Sequence, residues 1–459
     1  MAQPLPAATG PAHKRRLSLL RILEMNLGFF GLQFAFGLQQ GQMAPILSWL
    51  GAGEARLPML QLAGPVTGLL VQPLVGALSD ATCWRLGRRL PYVLAGAVLT
   101  SLGLALMPFS TSLLMAASLL WLIDAGANTT MEPYRAYIAD RLDAGAQPTG
   151  FLVQAAFTGL AQSLAYLTPS LLLYQLGVSG SASAHHLPAI TRASFLVGAV
   201  LSLATVTWSV WRVPEEPLPP ADRLPAGAPL GAIWNALRTI LRALCAMPAP
   251  MRQLAAMSLF QWYGAMIYWS YVALAIGRTA YATADKTSAA FRAAVLASQQ
   301  LGAVYNLVAC AAGFAMVPLA RRLGAGRLHR AAMVAMGLGL LALPLAGAGS
   351  NAAPPLFSAL ALAELGRHLL LLGPALGLGL GWASMMGLPP LLVARAVPRQ
   401  QIGVYMGLYN GMIVVPMLLH ALSFGWVYRV VLGGDPARAI ALAGMLMLAA
   451  ALATPAQKR

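Results

Sequence analysis

The sequence predicts an all-α membrane protein, with twelve transmembrane helices in two six-helix bundles. Three observations predict it. Hydrophobic residues make up 58% of the 459 positions and charged residues only 9%. Apolar runs long enough to cross a bilayer recur along the whole chain. A proline-rich polar stretch interrupts them near the middle. A soluble chain carries about 25% charged residues, and the deficit fits side chains that face hydrocarbon, where ionised groups are expensive. The runs are continuous rather than alternating, which disfavours a β-barrel. At roughly 20 to 25 residues each, twelve spans use about 240 to 300 residues and leave short loops and tails.

The spans are placed at 23–49, 57–79, 90–110, 112–132, 149–175 and 190–212, then at 251–278, 289–319, 329–349, 371–395, 401–425 and 436–455. The chain thus divides into a cytoplasmic tail (1–22), a first bundle (23–212), a cytoplasmic linker (213–250) and a second bundle (251–459). The linker opens with Val213-Pro-Glu-Glu-Pro-Leu-Pro-Pro-Ala-Asp222, a helix-breaking, charged run. Segment 350–370 is interrupted by Glu364, Arg367 and His368, and reads as an outward-side insertion with a short interfacial helix. A seventh span there would instead put the termini on opposite sides. Arg85-Leu-Gly-Arg-Arg89 follows the second span and Arg322-Leu-Gly-Ala-Gly-Arg327 the eighth, an offset of 324 − 87 = 237 residues. That repeat suggests parallel six-helix halves with a solute site near the midplane between them.

A net charge of +17 would point to nucleic acid in a soluble protein. In a membrane protein, Lys and Arg collect on the cytoplasmic side instead. Of the 30 Lys and Arg, 22 fall on one side of the twelve-span topology and 8 on the other, which puts both termini in the cytoplasm. No nucleic-acid partner is expected. Lys14, Arg15 and Arg16 precede a long first span, read as an uncleaved helix. Cys83, Cys245 and Cys310 lie in different segments, which favours neither a disulfide framework nor a zinc site. His185-His186 has no third ligand in view and reads as a solvated loop; His420, near the outward end of its span, reads as a surface or packing residue. No cofactor is expected. The absence of a Gly-x4-Gly-Lys-Ser/Thr motif argues against direct drive by ATP.

Two patches carry the functional signal. The first contains Gly64-Pro65, Gly68, Val71-Gln72-Pro73, Val75-Gly76, Ser79-Asp80, Arg85, Gly87-Arg88-Arg89 and Pro91. Its glycines let helices approach closely. Asp80 stands at a helix end beside a tight basic loop, where it can pair with Arg88 or Arg89. The expectation is a cytoplasmic gate of Asp80, Arg85, Arg88, Arg89 and Asp140. The alternative is that the arginines only fix orientation. The second patch runs Trp121-Leu-Ile-Asp124-Ala-Gly-Ala-Asn128-Thr-Thr-Met-Glu132-Pro133-Tyr-Arg135-Ala-Tyr-Ile-Ala-Asp140. At 100° per residue, Asn128 lies about 40° from Asp124, Glu132 about 80° and Arg135 about 20°, so all four share a face. Pro133 is expected to kink or end the helix before Arg135. A polar stripe within a span turns away from lipid, either lining a cavity or forming a packing seam.

Both patches resemble the sucrose/proton symporters of plants and their animal and bacterial relatives, a branch of the major facilitator superfamily. Gln33-Phe34…Leu38-Gln39, Trp382-Ala383-Ser384…Pro389 and Gly407-Leu408-Tyr409-Asn410…Pro416 add to the resemblance. It is dense over about 30–175 and 380–420 and thin over 213–370. Departures are Ala81 and Leu90, where that family tends to have basic residues, and Met417, where the plant proteins tend to have Gln. The resemblance implies proton-coupled symport of a neutral sugar by alternating access, the sugar being a disaccharide such as sucrose or maltose, or a glucoside. It also ties coupling to Asp124 and Arg135. Elimination points to the same aspartate, because Asp124 is the one carboxylate deep within a span, with Glu132 next.

Sugar hydroxyls call for side chains that both donate and accept, while the apolar ring face calls for aromatics. Asn128, Gln39, Gln40, Gln72, Gln154 and Asn410 are therefore the expected substrate contacts, with interhelical hydrogen bonding as the alternative for each. Trp262, Tyr263, Tyr268, Trp269 and Tyr271 cluster in the seventh span as the aromatics on offer, while Trp and Tyr near span ends read as an interfacial belt. The expected partners are sugar, protons and the lipid bilayer. The expected setting is a bacterial cytoplasmic (inner) membrane, with the protein working as a monomer. An uncoupled facilitator or exporter of the same fold is the alternative. An intramembrane enzyme would need several clustered acids or a metal set around one site, which these spans do not offer.

Overall fold

A computed structural model describes residues 17–82, 84–143, 145–180, 187–215, 247, 249–347, 365–396 and 402–455. Twelve long helices make up nearly all of it. In the first half they are α1 (Leu19–Trp49), α2 (Ala63–Ala81), α3 (Leu90–Leu106), α4 (Leu113–Arg141), α5 (Gln147–Tyr174) and α6 (Ala189–Arg212). In the second they are α7 (Ala249–Thr279), α8 (Ala289–Leu323), α9 (Ala325–Gly347), α10 (Leu365–Ala396), α11 (Ile402–Trp426) and α12 (Pro436–Ala453). Several starts are fixed by capping side chains. Ser112 Oγ accepts from the Met115 amide at 3.2 Å, and Ser288 Oγ from Phe291 at 3.1 Å. Asp435 Oδ1 does the same for Ala437 at 2.8 Å.

Among the described residues, eleven helical stretches are long and apolar enough to cross a membrane. α7 falls short on composition, since Arg252, Gln253, Gln261 and a run of Trp and Tyr dilute its hydropathy. Of the insertion expected at 350–370, residues 350–364 lie outside the described residues, and 365–370 form the start of α10 rather than a separate element. Glu364 lies outside the described residues, as do Cys83, Cys245, His185 and His186, most of the linker 213–250 and most of the tail 1–22.

The Leu-Gly repeat has a backbone cause. Gly87 and Gly324 both sit at positive φ, +97° and +86°, where a side chain is disfavoured. The helix pairings repeat as well. In the first half α1 packs on α5 and α6, α3 on α4 and α6, and α2 on α4. In the second half α7 packs on α11 and α12, α9 on α10 and α12, and α8 on α10. The bundles meet through α5 against α8 and through α2 against α11. These two seams are also equivalent, because a six-helix shift turns one into the other. One core cluster (Ile22, Met25, Phe29, Tyr134, Tyr137) lies within the first bundle, another (Met257, Met316, Leu388, Tyr409) within the second, and a further one, including Ile46, Leu120, Tyr271 and Phe424, runs through both.

Candidate functional site

Three helices of the first bundle bring their polar residues to one place. Asp124 on α4 is 3% exposed, and its Oδ1 accepts from Gln39 Nε2 on α1 at 2.6 Å. One turn along, Asn128 Nδ2 donates to Thr67 Oγ1 on α2 at 2.8 Å and to the Asp124 carbonyl at 2.9 Å. Its Oδ1 accepts from Gln72 Nε2 at 2.6 Å. Gly64 and Gly68 face these two side chains, which lets α2 come close enough for Gln72 and Thr67 to reach α4. Among the described residues no Lys or Arg forms an ion pair with Asp124.

The structure does not bring Arg135 to Asp124. Arg135 Nη1 pairs with Glu132 Oε1 at 2.9 Å, and both are solvent-facing, with side chains 49% and 36% exposed. α4 does not end at Pro133 but runs on to Arg141. Arg135 is thus 11 residues, or about 16 Å along the axis, from Asp124. Packing explains the continuity. Tyr134, Tyr137 and Ile138, just past the proline, are fully buried against α1, α3 and α6, so tertiary contacts hold the helix where the missing N–H would weaken it.

The remaining amides stay outside this network. Gln154 is buried on α5 and Asn410 is exposed on α11. Gln40 borders a void of about 10 Å³ between the bundles, beside Tyr166, Tyr268, Trp269 and Ser298. The aromatics of the seventh span are internal. Trp262, Tyr268 and Tyr271 are buried, and the Trp382 ring of α10 stands 5.3 Å from Trp269 and 6.0 Å from Trp262, edge to face. Deeply buried His329 binds Ser384 Oγ at 2.7 Å and Gln261 Oε1 at 3.2 Å. His420 is also wholly buried, stacked on Phe424.

At the face that carries the α2–α3 loop, the basic residues are knotted to carboxylates. Arg89 pairs with Asp80 and, at 3.3 Å, with Asp140, while Arg88 meets Asp140 at 2.6 Å. Arg85 is exposed. Sequence reasoning missed Glu215. Its Oε2 accepts from the backbone amides of Arg89 at 2.8 Å and Leu90 at 3.2 Å, and so caps α3, which has no capping side chain of its own. The available signal was a bare helix start on the same face as an acidic Pro-Glu-Glu-Pro run.

The sequence profile of the Major Facilitator Superfamily matches residues 25–421. The chain is 27% identical to the General alpha-glucoside permease of Schizosaccharomyces pombe over 277 residues, 57% of this chain and 48% of that one. It is 30% identical to the Sucrose transport protein SUC3 of Arabidopsis thaliana over 156 residues, 29% of this chain and 26% of that one. Proton-associated sugar transporter A of Homo sapiens matches at 27% over 230 residues, covering 47% and 30%. The matches thus span about half or less of the length of these curated relatives. Among solved structures, a nucleoside transporter superposes with a TM-score of 0.68 at 11% identity, covering 94% of this chain and 98% of that one. A D-xylose-proton symporter gives 0.64 at 14% identity, covering 95% and 97%. At such identities these neighbours speak to the fold alone, and with the profile match over most of the chain they make the protein a member of the Major Facilitator Superfamily.

Proposed function

We propose that the chain is a secondary transporter, not an enzyme, that carries a neutral sugar together with a proton by alternating access. The observation that carries this reading is Asp124, a carboxyl group buried mid-helix with one amide donor and no cationic partner among the described residues. A charged aspartate at such a depth costs about 2.5 to 3.5 kcal/mol on insertion scales, and an Asn or Ser would pack there without that cost. A carboxyl group that must exchange a proton has a reason to be there. Asn128, Gln39 and Gln72 stand around it and supply donors and acceptors for sugar hydroxyls. In the present conformer those groups bond to one another, and sugar is read as exchanging with these bonds. The named relatives that act on glucosides and sucrose support the substrate class.

Arg135 is assigned an indirect part. Paired with Glu132 at the solvent-facing end of α4, it sets the field along the proton's exit route without touching Asp124. Asp80, Arg88, Arg89 and Asp140 are assigned to the cytoplasmic gate. On the 22-to-8 asymmetry of Lys and Arg, both termini and the linker 213–250 face the cytoplasm, in a bacterial inner membrane, and the protein works as a monomer. Uptake of radiolabelled sucrose, maltose and an aryl glucoside into cells, with and without a protonophore, tests the reading. Accumulation of one sugar that collapses with the protonophore is expected. Equilibration without accumulation would leave an uncoupled facilitator.

A further inference from the structure

The face opposite the α2–α3 loop holds a cluster that the coupling scheme does not use. Glu54 lies in the short turn between α1 and α2, with its side chain 15% exposed. Arg278, at the end of α7, reaches across from the other bundle and donates through Nη2 to both carboxylate oxygens, at 2.9 and 2.7 Å. The Tyr428 hydroxyl, just past α11, donates to Glu54 Oε2, and Tyr271 donates to the Glu54 carbonyl at 2.9 Å. Arg278 Nη1 also binds the Gly434 carbonyl at 2.7 Å, and Lys286 Nζ binds that of Ala52 at 3.0 Å. Gly425 lies against the Ala55 carbonyl, where a Cβ would collide.

The backbone around this cluster is unusual. Tyr428 rides on a π-helical turn, Val427–Val431, and such turns recur at functional sites. Ala282, in the α7–α8 loop, holds φ at +48°, which a residue with a side chain rarely adopts. Conformations of this kind persist at switch regions, where surrounding contacts enforce them. A carboxylate gripped at both oxygens by a guanidinium is a directional contact, and losing one partner strands the other half-buried. The pair is therefore suited to two discrete states, joined or parted.

We propose that Glu54, Arg278 and Tyr428 form the outer gate, which holds the bundles shut on this face and parts when the site opens outward. The inference rests on the transport reading above and on its orientation. The test uses the full-length protein in intact cells, with Cys83, Cys245 and Cys310 replaced by Ser. A reporter cysteine at Ala273→Cys sits on α7, buried between the clasp and the midplane. An impermeant maleimide added outside should label it slowly. Glu54→Gln and Arg278→Gln should each speed labelling about tenfold, and Tyr428→Phe less, as the closed state loses population. In inside-out vesicles, a second reporter at Asn410→Cys should label more slowly in the same variants. Rates unchanged by Glu54→Gln and Arg278→Gln would overturn the gate. So would a rise at both reporters, which reports loosening rather than a change of face. These readouts do not depend on transport. A protein that takes up no sugar yet shows the reciprocal change would sink the transport reading and keep the gate.

Discussion

The two bundles share a set of helix pairings and differ in what they place between the helices. Where α1, α2 and α4 converge, the first bundle has Gln39, Thr67, Gln72, Asp124 and Asn128, tied by hydrogen bonds of 2.6 to 2.9 Å. Where α7, α8 and α10 converge, the second has Trp262 and Trp269 in ring contact with Trp382 and Trp269 Nε1 donating to the Tyr305 hydroxyl at 3.4 Å, while His329 of the neighbouring α9 is held between Gln261 and Ser384. The lesson is that a repeated scaffold need not repeat its chemistry. Amides and a carboxyl group suit a proton and hydroxyls. Aromatic faces suit shape, and each edge-to-face pair adds about 0.5 to 1.5 kcal/mol beyond the area it buries.

The comparison can be broken in four places, starting with the largest effect. Asp124→Asn should abolish proton-driven accumulation of sugar while leaving counterflow exchange in liposomes at least partly intact. A mutant that still accumulates sugar in a protonophore-sensitive way would move the proton site to Glu132. Trp262→Ala removes a ring that is 6% exposed and should cost about 3 kcal/mol or more in stability, as in soluble cores. It should appear as a lower Tm in detergent with coupling retained. Lost coupling at an unchanged Tm would show that the second bundle does more than pack. Asn128→Ala should weaken sugar binding by about 1 to 3 kcal/mol, since it strips Thr67 and Gln72 of their partner; calorimetry on purified protein reads this directly. Asp80→Asn should have the smallest energetic effect, because its side chain is 46% exposed and exposed pairs contribute about 0 to 1 kcal/mol. It should slow turnover and leave sugar affinity alone, and a tenfold loss of affinity would contradict this.

Much of the architecture was legible before any coordinates. Apolar runs mark helices directly, because a bilayer admits little else. The one-turn spacing of Asp124 and Asn128 places them together on any helix. Partner choice was not legible. Arg135 lies on the same face as Asp124, yet a shared face says nothing of distance along the axis, and Glu132 is nearer. Glu54 and Arg278 are 224 residues apart, and each alone reads as an ordinary loop charge. Glu215 looked like part of a polar linker until α3 was seen to lack its own cap.

The two seams between the bundles, α5 on α8 and α2 on α11, join equivalent helices of the two halves, the first more extensively than the second. In a homodimer such an interface is isologous, with each subunit offering the same patch, and any substitution appears twice. Here both subunits lie in one chain, so a substitution appears once. That freedom lets one half hold an aspartate at its centre while the other keeps a wall of rings, with the shared axis still available for both to turn about. On the alternating-access reading proposed above, a tethered dimer of this kind keeps the mechanical symmetry to tilt either way and spends none of it on matching chemistry.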